Sequence, residues 1–143
     1  MASPIIEVAD AVVSLINSTA YSQSVSAVRT YRVDLELQDL VAIKVLVVPR
    51  GIEQALEARS LILSDIQIDI GIHKKVSSLS NTVLDSMMGL VEEVGISLRT
   101  SQPYAGFGWV STENVPIYSP DLLDQAKEFL SILTVTFRAL EDR

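Results

Sequence analysis

Few residues in this chain are equipped for chemistry. His73 is the single histidine, and Lys74 and Lys75 follow it. Asp69 stands four residues earlier, and strand alternation puts both side chains on one face. A catalytic histidine needs an orienting acid and a nucleophile beside it. Asp69 fits the first role, but no nucleophile–base pair can be named, so His73 reads as a surface strand residue. Metal binding needs clustered ligands, and Asp65, Asp69 and His73 are spread along a strand of ~26 Å. Asp85, Glu92 and Glu93 read as the solvent side of a helix, so no metal site is expected. Gly106-Phe107-Gly108 is a lone G-x-G that does not lead from a strand into a helix, as a dinucleotide loop must. It reads as a flexible aromatic loop. Neither a P-loop nor a G-x-S-x-G elbow occurs.

Composition narrows the classes further. The chain has 143 residues, a length that suits one domain, and 48% of them are hydrophobic, which excludes a disordered chain. Zero cysteine excludes a disulfide scaffold, thiol chemistry and cysteine-bound zinc. Eleven basic residues against 18 acidic ones give a formal charge of −7, which argues against a general nucleic-acid or membrane binder. No apolar run reaches the ~20 residues of a membrane span. No basic stretch precedes the first apolar run, so no secretion signal is expected. Asn17-Ser18-Thr19, which fits the glycosylation pattern, is then a chance match. A positive mean hydropathy of +0.34 implies a full core together with a buried oligomer interface.

The elements that must position these residues are legible in part. Ser3 and Pro4 open a helix, and Ile5, Val8, Ala9, Val12, Leu15 and Ile16 recur along it at helical spacing. Residues 22–26 read as a loop. Tyr31-Arg32-Val33-Asp34-Leu35 alternates as a strand. Val41, Ile43, Val45 and Val47 alternate as a second, which Pro49 and Gly51 close. Ile66, Ile68, Ile70 and Ile72 mark the clearest strand, with Asp65, Gln67, Asp69, Gly71 and His73 opposite. Residues 52–63 between them are ambiguous, and a long hairpin with an irregular first arm is the preferred reading. Ser80 or Asn81 caps a second helix whose stripe is Leu84, Met87, Met88, Val91, Val94 and Leu98. Residues 110–113 form a short strand, residues 121–124 a turn, and residues 129–138 a long last strand. The order is α-β-β-β-β-α-β-β: a single α+β domain over residues 1–143, with two main helices on one face of a mostly antiparallel sheet.

Two surface features suggest contacts with other subunits. Arg50, Arg59, Lys74 and Lys75 are expected to cluster at the hairpin ends, as a solvated edge or as a charged rim facing a partner. Tyr104, Phe107 and Trp109 supply an apolar handle of the kind enriched in interface cores. A hairpin running past its own domain would build such contacts by sheet addition. With Asp69 and His73 on the polar strand face, these residues form the expected interface set.

One family shows a similar pattern. Val47-Val48-Pro49-Arg50-Gly51 is followed by Arg59-Ser60, then Asp65-Ile66-Gln67-Ile68-Asp69-Ile70 and Leu90-Val91-Glu92-Glu93. Glu113-Asn114-Val115-Pro116-Ile117-Tyr118-Ser119-Pro120 comes next, and Phe129-Leu130-Ser131 and Thr134-Val135-Thr136-Phe137-Arg138 complete the series. From residue 15 to 138 the chain resembles the tail-terminator type of neck, or tail-completion, protein of tailed bacteriophages. The matching elements are structural patterns, with no catalytic motif among them. The resemblance implies a small subunit that assembles as a hexameric ring, caps the head-proximal end of the tail tube and stops its growth. It implies tail tube protein, sheath protein and a head connector or stopper protein as partners, with no enzymatic activity, cofactor or membrane. It further implies assembly in the host cytoplasm, a place in the virion, and genomic DNA passing through the lumen. Acidic side chains facing that lumen would let DNA slide without sticking, and Asp34, Glu36, Asp39 and Asp65 are the candidates. Alternatives are an adjacent neck subunit, such as a stopper or tube-associated protein, and a small dimeric ligand-binding α+β domain.

Overall fold

The structure is a computed structural model that describes residues 3–32, 42–76, 78–101 and 104–142. Helix α1 (Pro4–Ser18) leads into strand β1 (Ser26–Arg29), followed by β2 (Lys44–Ala58) and β3 (Leu61–Lys75). Helix α2 (Asn81–Thr100), strand β4 (Gly108–Glu113), the short helix α3 (Pro120–Ala126) and strand β5 (Glu128–Asp142) complete the chain. One sheet of five strands has the order β1-β2-β3-β5-β4. Only the β1–β2 pair is parallel; the other pairs are antiparallel. The fold is α+β, with the element order α-β-β-β-α-β-α-β.

Helix α1 forms because Val8, Ala9, Val12 and Ile16 fall on one stripe, and all four are fully buried. Pro4 occupies its first turn, where an absent N–H costs nothing. Ser3 takes the cap position without a side-chain cap bond. The far end is anchored by Asn17. Its Nδ2 donates to the Ala27 carbonyl at 3.0 Å and its Oδ1 accepts from the Ala27 N–H at 2.8 Å. The Asn17 amide is thus a bolt between helix and strand.

Helix α2 is capped by Ser80, whose hydroxyl accepts from the Val83 N–H. Met87, Leu90, Val91, Val94 and Leu98 form its buried face. They meet Ile66, Ile68, Ile70 and Ile72 of β3, and Leu133, Val135 and Phe137 of β5, in one core that includes the α1 stripe. The Tyr104 hydroxyl donates to the Leu98 carbonyl at 2.6 Å near the end of α2, where backbone acceptors lose their helical partners. Burial pushes the pKa of this hydroxyl up to about 12.

Several sequence-based expectations are revised. The strand expected at residues 31–35 begins at a bend, and residues 33–35 lie outside the described ones. The first strand is instead β1, reaching back into the expected loop at residue 26. Pro49 and Gly51 do not end β2, because the register slips between them and the strand continues beside β3. Proline is tolerated at such an irregularity, where no ladder donor is required of it. A second slip falls between Leu56 and Ala58, so the long hairpin with an irregular first arm is what forms. The turn expected at residues 121–124 is part of α3.

Candidate functional site

The helices cover only part of the sheet. Across β3 and β5, Ile66 lies beside Phe137, Ile68 beside Val135 and Ile70 beside Leu133, all against the helices. The opposite face is divided into three zones along the strands. At one end Leu46, Gly71, His73 and Leu130 are buried. The middle is polar and open. The other end is an arm built from the far half of the β2–β3 hairpin and the end of β5, where residues 52–60 are all exposed.

The buried end corrects the reading of His73, which is 1% exposed and not a surface residue. Its Nε2 lies 3.4 Å from a Glu128 carboxylate oxygen, and Glu128 is itself buried. The acid beside it is therefore Glu128 of β5. Register explains the choice: Leu130 is directly opposite His73, and Glu128, two residues earlier in β5, is opposite Lys75. Asp69, expected as the partner, instead accepts from Thr134 Oγ1 at 2.8 Å and faces Arg50 at 3.4 Å. His73 and Glu128 form a buried cross-strand contact between β3 and β5.

The middle zone is a network of cross-strand polar pairs. Arg138 donates to both oxygens of Asp65, at 2.7 and 3.0 Å. That bidentate bond holds the Asp65 carboxyl below its ordinary pKa and raises the Arg138 guanidinium. Arg50 donates to Thr134 Oγ1 at 3.2 Å. Beside this network a groove of about 470 Å³ runs between Arg50, Asp69 and Thr134 on one side and Val115, Pro116 and Tyr118 on the other. The backbone N–H of Ser119 donates to the Leu130 carbonyl, and Asn114 donates to the Ile132 carbonyl. These bonds satisfy the edge of β5 beyond its pairing with β4, and they hold the groove's outer wall.

The arm exposes apolar side chains. Ile52, Leu56 and Leu140 are 48%, 58% and 58% exposed. The acids Glu53, Glu57 and Asp142 are exposed with them. At the base of the arm, Ser64 donates to Glu141 at 2.6 Å and accepts from Gln54. This polar contact stands on the face that is isoleucine-lined further along, and it marks where the core stops.

The expected interface residues therefore do not form one set. Arg59 lies in the turn at the arm's tip, whereas Lys74 and Lys75 end the same strand at its opposite extreme. Strand length separates them, so the expected basic cluster does not form. Tyr104 and Phe107 are 3% and 4% exposed. Their backbones bond to each other across Ala105 and Gly106, both at positive φ, in a two-residue turn. Gly106 is thus a turn glycine, and the G-x-G motif is a hairpin. The Tyr104 ring meets Phe137 at a centroid distance of 4.8 Å, so these two aromatics serve the core rather than a surface handle. Trp109 is half-buried, and its Nε1 donates to Thr112 Oγ1 at 2.8 Å. Among the lumen candidates, Asp65 is paired with Arg138, and Asp34, Glu36 and Asp39 lie outside the described residues.

Among the described residues, no three histidine, aspartate or glutamate side chains gather as a metal would require. No helix there is long and apolar enough to cross a membrane. Comparison of the sequence with family models gives no match, and comparison with curated proteins gives none either.

Proposed function

We propose that this chain is a structural subunit of a bacteriophage neck, which forms a ring at the head-proximal end of the tail tube, ends tube growth and joins the tail to the head connector. The observation that carries this reading is the bare arm. Residues 52–60 are exposed throughout, and the arm exposes Ile52 and Leu56 on one sheet face and Leu140 on the other. Apolar side chains concentrated on a projection favour contact with another protein. The sequence pattern that resembles tail terminators supports the same reading and supplies the ring, the tube and the connector. In such a ring the passing DNA meets a net charge of −7 per subunit, which favours sliding over binding.

The test is negative-stain imaging of purified protein, alone and mixed with tail tubes, beside size-exclusion chromatography with mass detection. Six-fold rings, or caps at one end of each tube, are the expected result. A stable dimer indifferent to tubes would overturn the proposal. It would favour the second reading, a small ligand-binding domain, for which the groove beside Arg50 and Tyr118 is the specific observation.

A further inference from the structure

The two ends of β3 differ in charge as well as in cover. At the arm's tip, a shallow depression is lined by Ala55, Leu56 and Ile62 together with Glu141 and Asp142. Among the described residues no basic one lines the depression itself, and Arg59 stands in the adjoining turn. At the other end, a groove of about 510 Å³ lies between the close of β3 and the first turns of α2. Val76, Val83 and Met87 form its apolar lining, Lys74 and Lys75 its charged rim, and among the described residues no acidic one lines it. Among the described residues, the lining of each depression combines apolar side chains with one sign of charge, and the two signs are opposite.

We propose that these two surfaces are the halves of one head-to-tail contact, with the arm tip of one copy seated in the Lys74–Lys75 groove of the next. Charge selects this pairing. Tip against tip would set Glu57 and Asp142 against their own copies, and groove against groove would oppose lysines; both arrangements are repulsive. Tip against groove places acids against lysines and sets Leu56 against the half-buried Val83. A contact between two different surfaces of the same chain propagates, closing into a ring or extending as a filament. Closure into a ring rests on the neck reading above; the contact itself rests on the two surfaces.

Distance makes the contact testable. Leu56 lies opposite Ile62, and Ile62 is twelve residues from Lys74, on the order of 40 Å along the strand. A disulfide needs Cα atoms within about 7 Å, so cysteines at the tip and in the groove can join only between copies. The chain has no cysteine of its own. The double variant Leu56→Cys/Thr82→Cys is oxidised at low salt and resolved by non-reducing electrophoresis and intact mass. The expected result is a covalent ladder reaching a closed species, with neither single variant extending beyond a dimer. Only monomer, or only dimers joined through like cysteines, overturns the proposal.

Charge reversal gives a second arm that does not depend on disulfide geometry. Glu57→Lys/Asp142→Lys and, separately, Lys74→Glu/Lys75→Glu should each weaken self-association by about tenfold or more, and the two pairs mixed should restore it. Unchanged circular dichroism would show that the variants fold. Failure of the mixture to restore association overturns the contact. The two proposals separate cleanly: a cross-linked ladder that never caps tubes removes the neck reading and keeps the contact. Tube caps without the cross-link remove the contact and keep the neck reading.

Discussion

In β3, Ile66, Ile68, Ile70 and Ile72 are completely buried, whereas Ile62 on the same face is only half-covered. All five side chains are isoleucine, so hydrophobicity does not separate the two halves. Length does. A helix of 20 residues covers about 30 Å, and a strand of 15 residues spans about 50 Å. Helix α2 cannot cover the full length of β3, and about 20 Å of strand is left for something else to cover. The core half answers to internal packing. The arm half has side chains of similar type with no internal partner, and a partner copy is the cover inferred for it.

The largest effect that tests this contrast comes from placing a charge in each half. Ile68→Asp or Ile70→Asp buries an unpaired carboxylate in the core and should unfold the subunit, at a loss of more than about 4 kcal/mol. Leu56→Asp in the arm should change stability by no more than about 0.5 kcal/mol while weakening assembly. Denaturant titration beside size exclusion reads both. Unfolding by Leu56→Asp would mean that the arm belongs to the core.

A smaller effect sits where the core is sealed. Tyr104→Phe keeps the ring against Phe137 but leaves the buried Leu98 carbonyl without its donor, and should cost ~1–2 kcal/mol. Thermal or urea melting measures it, and an unchanged midpoint would assign the stability to ring packing alone.

On the open polar face, effects should be smaller again. Asp69→Lys removes the acceptor of Thr134 and should leave the fold intact at a cost of about 1 kcal/mol. Any larger consequence should appear in assembly. A monomeric, unfolded Asp69→Lys variant would contradict the assignment of this face as open.

The smallest effect concerns pH. Asp65 is held below its ordinary value of 3.8 by its bond to Arg138. The folded state therefore binds the proton less readily than the unfolded chain does. The stability contributed by the pair is fully present above about pH 4 and is lost as pH falls below it, through the lowered folded-state value. Arg138→Ala should slightly lower the urea midpoint at neutral pH, and the difference from the unaltered protein should shrink in acid. A difference that grows in acid would reverse the sign of the coupling.

Much of this architecture was legible along the chain because periodicity is a local property. The isoleucine alternation at residues 66–72 and the stripe from Leu84 to Leu98 correspond to β3 and α2. Ser80 or Asn81 was legible as a cap because a capping side chain reaches only three residues ahead, and the structure selects Ser80. The arm was partly hidden: residues 52–60 lack clean alternation, since two register slips interrupt β2. The isoleucine run alone suggests a strand of ~26 Å, no longer than a helix can cover, and so conceals the uncovered length that the full strand has.

The candidate site was less legible. Arg50, Arg59, Lys74 and Lys75 read as one basic group because they flank one hairpin, yet a hairpin has two ends far apart. Tyr104 and Phe107 read as a surface handle because a Gly-containing aromatic loop carries no periodicity to announce burial. His73 read as exposed because its strand face is polar along most of its length, and the burial of Leu46 and Leu130 beside it is a long-range event.

By itself the sequence determined the α+β class, the two helices, the isoleucine core and the absence of thiol chemistry, since each depends on residue identity and short-range spacing. Only the tertiary structure decided that Glu128 faces His73, that Asp65 pairs with Arg138, and that acids and lysines sit at opposite ends of one long strand. The physical reason is that strand register joins residues more than fifty positions apart, and no local pattern encodes which of them will meet.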